Sequence, residues 1–361
     1  MIIPELPDYL TALDGAEYKG LIISLFTLTA MISRPFSGKL ADTIGRVPVM
    51  IFGAAVCFIC SLFYPIIATL SGFFMLRFVH GFSTGFTPTG ATAYLADIIP
   101  IHKRGEAMGI LGTAGSVGMA AGPAIGGTLA NQLGLDAMFY CSSFFGLVAI
   151  IILIRAKETL PVKQKFSMGL LKVKKEDIFE PLVLVPCLVM VLVAFPYGAV
   201  FTVIPDFGQF VGIKNKGLLF TFLTVASLLV RLLAGKASDK YGRIEVLRLS
   251  TLAIAVSMLI IGLAATPLTL IIGVTLYGLA QGSTSPTLLA WAADLSDNRF
   301  KGRGIASLYI FMELGIGLGA LCSGWIYGNQ SANFFITFLI SGLLSTLAFT
   351  YLIYHSVSRS K

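Results

Sequence analysis

The stretch Gly38-Lys-Leu-Ala-Asp42-Thr-Ile-Gly45-Arg46 returns as Gly235-Lys-Ala-Ser-Asp239-Lys-Tyr-Gly242-Arg243, a shift of 197 residues. The same shift relates Arg34 to Arg231, Gly81 to Gly278, Gly85 to Gly282 and Asp97 to Asp294. Each copy sits between two long apolar runs. Chance matches do not hold one offset over so many positions, so the chain is a tandem duplication of a membrane unit. A duplicated membrane unit places a shared site between its halves.

Eleven runs reach or approach the length of a membrane span, near 20–37, 48–69, 72–98, 105–130, 136–155, 181–204, 217–234, 246–265, 268–293, 302–327 and 332–354. A helix needs about 20 apolar residues to cross ~30 Å of hydrocarbon. The runs lack the every-second-residue alternation of barrel strands. Only 12% of residues are charged and 56% are hydrophobic, where a soluble domain carries about 25% charged residues. The expected fold class is therefore all-α, a polytopic membrane helical bundle.

The formal net charge of +8 reads as topology. Lys39 and Arg46, Lys103 and Arg104, residues 155–177, Lys236 to Arg248, Arg299 to Arg303, and Arg359 with Lys361 fall on alternate connections; the others carry Lys19, Lys214 and Lys216. The basic side is cytoplasmic by the positive-inside rule. No aromatic and basic surface accompanies the charge, so nucleic acid is not an expected partner. Cys57-x-x-Cys60 would suggest a metal or redox motif in a soluble chain. Within an apolar run and without a neighbouring ligand it reads as packing, and neither a metal nor a disulfide framework is implied.

Eleven spans cannot form two equal halves. Leu6-Pro7-Asp8-Tyr9 matches Ile204-Pro205-Asp206-Phe207, the outer end of the run at 181–204, at an offset of 198. The expected design is two pseudo-symmetric six-helix halves with the first helix missing, through a misassigned start or a fragment. The divisions are 1–155 for the N-terminal half, 156–180 for a cytoplasmic linker and 181–361 for the C-terminal half. The linker carries Lys157, Lys163, Lys165, Lys172, Lys174 and Lys175 with Phe166, Leu170, Leu171 and Phe179. It reads either as an amphipathic segment on the cytoplasmic leaflet or as a flexible connection.

The duplicated Gly-x-x-x-Asp-x-x-Gly-Arg loop resembles the signature of the major facilitator superfamily, and it follows the second span of each half as it does there. Physically, Gly38, Gly45, Gly235 and Gly242 permit tight turns and close helix approach. Asp42 and Asp239 are placed to face helix N-termini, at the starts of spans 105–130 and 302–327 in the opposite half. Arg46 with Asp97, and Arg243 with Asp294, complete expected ion pairs. The resemblance implies that these residues gate a conformational switch; simple loop capping is the alternative.

Gly118, Gly122, Pro123, Gly126 and Gly127 match the family's antiporter motif, Gly-x-x-x-Gly-Pro-x-x-Gly-Gly, and point to the twelve-span drug:proton antiporter group. Proline bends the helix and the glycines offer a smooth face to another helix. Arg77 and His80-Gly81 resemble the fourth-helix motif Arg-x-x-Gln-Gly, linked in antiporters to proton coupling. His80 stands where Gln is usual, either adding pH sensitivity or replacing its hydrogen bond. Glu313 is the one acidic residue near the middle of a span. Burial there disfavours its charged form, which suits either proton exchange or a structural hydrogen bond. Arg34 and Arg231 lie close to the cytoplasmic ends of their spans and can snorkel, so they read as anchors or gate partners.

These readings make the chain a secondary active transporter rather than an enzyme, exporting a small amphipathic solute or drug by proton-coupled alternating access. Proton-coupled uptake of a neutral metabolite such as a sugar, or a non-transporting receptor or scaffold, are the alternatives. Tyr94, Tyr197, Tyr277, Gln281, Trp291 and Tyr309 are candidates for the substrate cavity because their tips are polar or aromatic. The expected partners are a small-molecule substrate, protons and the lipid bilayer. No cofactor is implied, the expected state is a monomer, and the expected compartment is a bacterial inner membrane.

Overall fold

The duplication is written into where the helices begin. In the computed structural model, α1 spans Leu6–Ala12, α2 Lys19–Thr43, α3 Arg46–Phe63, α4 Leu70–Ile98, α5 Arg104–Leu133, α6 Leu135–Ile154, α7 Lys175–Ile178, α8 Leu184–Phe210, α9 Lys216–Tyr241, α10 Arg243–Gly262, α11 Pro267–Leu295, α12 Lys301–Tyr327 and α13 Phe334–Arg359. Helices α9, α10, α11 and α12 each start 197 residues after α2, α3, α4 and α5. The structure describes residues 2, 5–15, 19–172, 174–213, 216–328 and 330–359. Lys214 and Lys361 lie outside these residues, as do the side chains of Lys19, Lys175, Lys216, Arg359 and the motif proline Pro123.

Eleven of the helices are long, matching the eleven apolar runs, and no strand forms among the described residues. Six of them (α3, α6, α8, α10, α12 and α13) are long and apolar enough to span a membrane on composition alone. The other five carry more polar side chains over 25 to 30 residues, long enough at ~1.5 Å per residue to cross. The protein is a multi-pass integral membrane protein of all-α architecture.

Two compact units divide the chain, and the division departs from the sequence order at two places. The first unit holds residues 1–98, 115–180 and 296–309; the second holds 99–114, 181–295 and 310–361. The first turns of α5 thus pack with the second unit, and those of α12 with the first. Within the first unit α2 packs on α4, and α3 on α4 and α6. The second repeats this with α9 on α11, and α10 on α11 and α13.

The matched fragments near residues 6–9 and 204–207 also play equivalent parts. Tyr9 meets Phe139 of α6 edge-on at 5.4 Å, and its hydroxyl lies within hydrogen-bond distance of the Tyr64 and Ile67 carbonyls, at 2.6 and 2.7 Å. Phe207 stacks on Phe334 and Phe338 of α13 at 4.2 and 6.0 Å between ring centres. Outward-facing Phe52, Ile59, Phe144 and Ile152 in the first unit, and Leu229, Leu249 and Leu347 in the second, are exposed. In lipid such side chains need no further cover, and helix association rests on close packing instead.

Candidate functional site

Gly38 lies so close to the start of α12 that an added Cβ would meet Ala306 Cβ at 2.8 Å and Arg303 Cα at 3.1 Å. Gly235 approaches α5 in the same way, with Gly105 C at 2.8 Å and Glu106 Cα at 2.9 Å from its would-be Cβ. Only a residue without a side chain lets the helices come this near. One turn further on, each helix presents an aspartate to the facing helix terminus.

Asp42 accepts the Gly302 N–H at 2.7 Å and the Arg303 N–H at 2.8 Å. Asp239 accepts the Gly105 N–H at 2.8 Å and the Glu106 N–H at 2.9 Å. First-turn N–H groups have no partner within their own helix, and the helix dipole favours a negative charge there. Each carboxylate also takes a guanidinium. Arg46 reaches Asp42 at 2.5 Å and Asp97 at 3.1 Å; Arg243 reaches Asp239 at 2.5 Å and Asp294 at 2.9 Å.

A second cation completes each cluster and was not singled out by sequence reasoning. Lys301 binds Asp97 at 2.9 Å, and Arg104 binds Asp294 at 2.9 Å. Lys301 follows Arg104 by the same 197 residues as the rest, so the repeat offset was the signal that could have found them. Gly45 and Gly242, at φ 126° and 95°, turn the chain from each aspartate to its arginine, in a conformation that side chains rarely adopt.

The first cluster has a further layer from the 156–180 segment. Glu158 caps α3 by accepting the Arg46 and Val47 N–H groups, both at 3.0 Å, and Thr159 donates to Asp97 at 2.9 Å. Glu180 binds Arg303 through Nε at 2.8 Å, and its own N–H donates to Ser307 Oγ at 3.0 Å. Lys39 pairs with Asp177 at 2.7 Å, and Gln164 N–H donates to the Thr43 carbonyl at 2.8 Å. Partial burial pushes the Asp177 carboxyl up, but the Lys39 ammonium and the Lys174 N–H outweigh it and hold the group below its usual range. The segment is therefore tied down rather than a loose connection.

Arg77 and His80 belong to a buried network on α4. Arg77 donates twice to the Ile22 carbonyl, at 3.0 and 2.9 Å, and once to the Tyr64 hydroxyl at 3.2 Å. That hydroxyl lies 3.3 Å from His80 Nδ1, and the Arg77 guanidinium covers the Phe26 ring at 4.7 Å. Tyr64 is the member that the sequence did not disclose. Arg34, read as an anchor or gate partner, does not snorkel: it is 1% exposed, donates to Thr89 Oγ1 at 2.9 Å and lies 4.3 Å over the Tyr309 ring. A hydroxyl and an aromatic face inside the unit replace the water it would otherwise seek.

Gly118 and Gly122 border a cavity of about 550 Å³ with Cys57, Ser83, Thr87 and Ser142, all in the first unit. A Cβ on Gly118 would meet nothing within 4 Å, so this part of the glycine face borders the cavity. Gly126 is buried, and a Cβ on Gly127 would meet Glu5 Oε1 at 3.4 Å. Glu313 is 7% exposed on α12.

The cavity candidates separate. Tyr309 hydrogen-bonds Thr92 at 3.1 Å within the first unit, and Tyr94 is half-buried on α4. In the second unit Tyr197 stacks on Phe201 at 4.4 Å and Trp291 lies buried 6.2 Å from the His355 ring. Among the described residues, the buried Tyr277 hydroxyl and Gln281 carbonyl, one turn apart on α11, have no hydrogen-bond partner.

Comparison with known proteins accords with this geometry. The family model described as Major Facilitator Superfamily matches residues 1–216 and again 187–361. Multidrug resistance protein 2 of Bacillus subtilis is 24% identical over 83% of this chain and 78% of its own length. The multi-drug resistance efflux pump PmrA of Streptococcus pneumoniae is 26% identical over 91% and 85%. Among solved structures, the proton:xylose symporter XylE superposes with a TM-score of 0.82 over 98% of this chain and 91% of its own, at 16% identity. The human organic anion transporter MFSD10 gives 0.79 over 97% and 89%, at 19% identity.

Proposed function

The chain belongs to the Major Facilitator Superfamily, and we propose that it exports a small amphipathic solute in exchange for protons, by alternating access. It is a transporter, not an enzyme, and its substrates are small molecules. The observation that carries the mechanism is the reciprocal exchange of partners: an aspartate from each repeat takes the helix N-terminus of the other, with one geometry at two places. Charge-assisted hydrogen bonds of this kind each contribute about 1.5–3 kcal/mol, and all break when the helix ends part. Gly38, Asp42, Gly45, Arg46 and Asp97, with Gly235, Asp239, Gly242, Arg243 and Asp294, are thus the gate on the cytoplasmic side.

Export is the reading favoured by the multidrug resistance relatives. Glu313 carries the proton in this proposal, because an ionised carboxylate held among helices is costly and a neutral one is not. Arg77 and His80, tied through Tyr64, tune the coupling. The glycine-rich stretch of α5 from Gly118 to Gly127 lets that helix shift during the cycle. Tyr197, Tyr277, Gln281 and Trp291, with Tyr94 and Tyr309, supply contacts to the solute. The protein works as a monomer in a bacterial inner membrane.

The test is substrate export from proteoliposomes driven by an imposed pH gradient. Glu313→Gln should lower gradient-driven export at least tenfold while leaving the melting temperature in detergent unchanged. Undiminished export by that variant removes the proton assignment, and accumulation in the opposite direction makes the protein a symporter.

A further inference from the structure

The first unit has a second cavity, bordered by the exposed Ile32, Phe52 and Phe166 and lined by none of the charged latch residues. It measures about 630 Å³ and is walled by Phe36 and Leu40 of α2, Phe52 of α3 and Phe86 of α4, with Phe166 and Leu171 of the linker closing one end. Its walls are apolar throughout, built from Ile, Phe, Leu, Val and Pro side chains. A site for a metabolite places a few polar groups to orient its ligand; here the walls supply none. The cavity runs along α2 from Ile44 to Ile32, about 18 Å at the helical rise. One leaflet of hydrocarbon is about 15 Å deep, so the length suits one acyl chain.

The charges stand at the linker end alone. Lys163 and Lys165 precede Phe166, and Lys172 and Lys174 follow Leu171; all four are exposed. Among the acidic side chains described nearby, three are engaged within the unit: Glu158 by backbone N–H groups, Asp177 by Lys39 and Glu180 by Arg303. Phe166 itself is 56% exposed although it lines the cavity, as is expected of a side chain that completes its packing against something outside the protein. An apolar slot of leaflet depth with a cationic rim has the chemistry of a phospholipid carrying a negative headgroup.

We propose that this groove binds one anionic phospholipid of the cytoplasmic leaflet, its acyl chain between α2, α3 and α4 and its headgroup among Lys163, Lys165, Lys172 and Lys174. The lipid would hold the linker down and, through Glu158 and Glu180, would keep the first latch braced. The assignment is independent of the direction of transport and of the proton site.

The test uses the full chain carrying Phe166→Trp and Trp325→Phe, in vesicles of phosphatidylcholine with increasing brominated lipid. Trp325 is 82% exposed and would otherwise add background quenching. Brominated phosphatidylglycerol should quench Trp at position 166 at several-fold lower mole fraction than brominated phosphatidylcholine. Each basic residue near an anionic headgroup strengthens attraction about fivefold, so Lys165→Gln with Lys172→Gln should erase most of that preference. Equal quenching by the two lipids, or a preference that survives both lysine substitutions, overturns the proposal. Relief of quenching by tetraphenylphosphonium with no preference for the anionic lipid makes the groove a solute site and overturns it as well.

Discussion

The two latches are copies of one sequence, yet they are not equally held. Asp42 and Arg46 are 4% and 1% exposed, whereas Asp239 and Arg243 are 9% and 11% exposed. Around the first, Glu158, Thr159 and Glu180 of the linker add hydrogen bonds and an ion pair. Around the second, the contacts include the solvent-facing Lys236–Glu106 pair at 3.2 Å and bonds from Arg243 to Ser238 Oγ at 2.6 Å and to the Ile101 carbonyl at 3.1 Å. Duplication supplied the same lock twice, and the connection between the copies reinforced one of them. The first cluster is thus the more deeply buried of the two, and the linker supplies part of that cover.

That contrast is broken most directly at the aspartates. Removing one partner of a buried ion pair costs about 3–5 kcal/mol, so Asp42→Asn should be near that range in a thermal melt of the purified protein. Asp239→Asn should cost less, about 1–3 kcal/mol, because its arginine keeps some access to water. Equal losses would mean that the linker contributes nothing to the first latch. Gly38→Ala and Gly235→Ala serve as the matched control. Both methyl groups would strike helix backbone, and overpacking costs about 1–3 kcal/mol in either copy, with similar losses of transport rate.

Smaller effects separate the brace from the lock. Glu180→Gln should destabilise by about 1–3 kcal/mol, since it leaves the mostly buried Arg303 without its carboxylate. Lys236→Ala should change stability by less than about 0.5 kcal/mol, because that lysine is 64% exposed. A melt in which the two substitutions cost the same would remove the claimed asymmetry. A comparably small effect belongs to Lys39 and Asp177. Because the folded Asp177 carboxyl titrates below its unfolded value, its contribution is present above about pH 4 and is lost as pH falls through the lowered folded value. A double-mutant cycle should give less than about 1 kcal/mol at pH 7, and less again at pH 3.

Much of the latch could be read in the chain because it is local and doubled. Asp42 and Arg46 are four residues apart across the Gly45 turn, and the match at Asp239 and Arg243 made the spacing stand out. Arg104 and Lys301 obey the same offset but differ in residue type, so a search for identical residues passes over them. Glu158 and Glu180 have no counterpart in a repeat, and their partners are over a hundred positions away. Tyr64 was hidden for another reason. Nothing in its neighbourhood marks a tyrosine as the bridge between Arg77 and His80 until α3 and α4 are packed together.

What the amino-acid order determined is the helical, lipid-soluble architecture, its duplication and the helix ends where charge gathers. Apolar run length, glycine placement and charge distribution act on near neighbours, and they are visible in one dimension. Which cation completes each cluster, how the linker fastens one latch, and why Arg34 stays inside under Tyr309 were decided only by folding. Those contacts join residues distant in sequence, and their energy depends on separations of a few tenths of an ångström that exist only once the helices are packed.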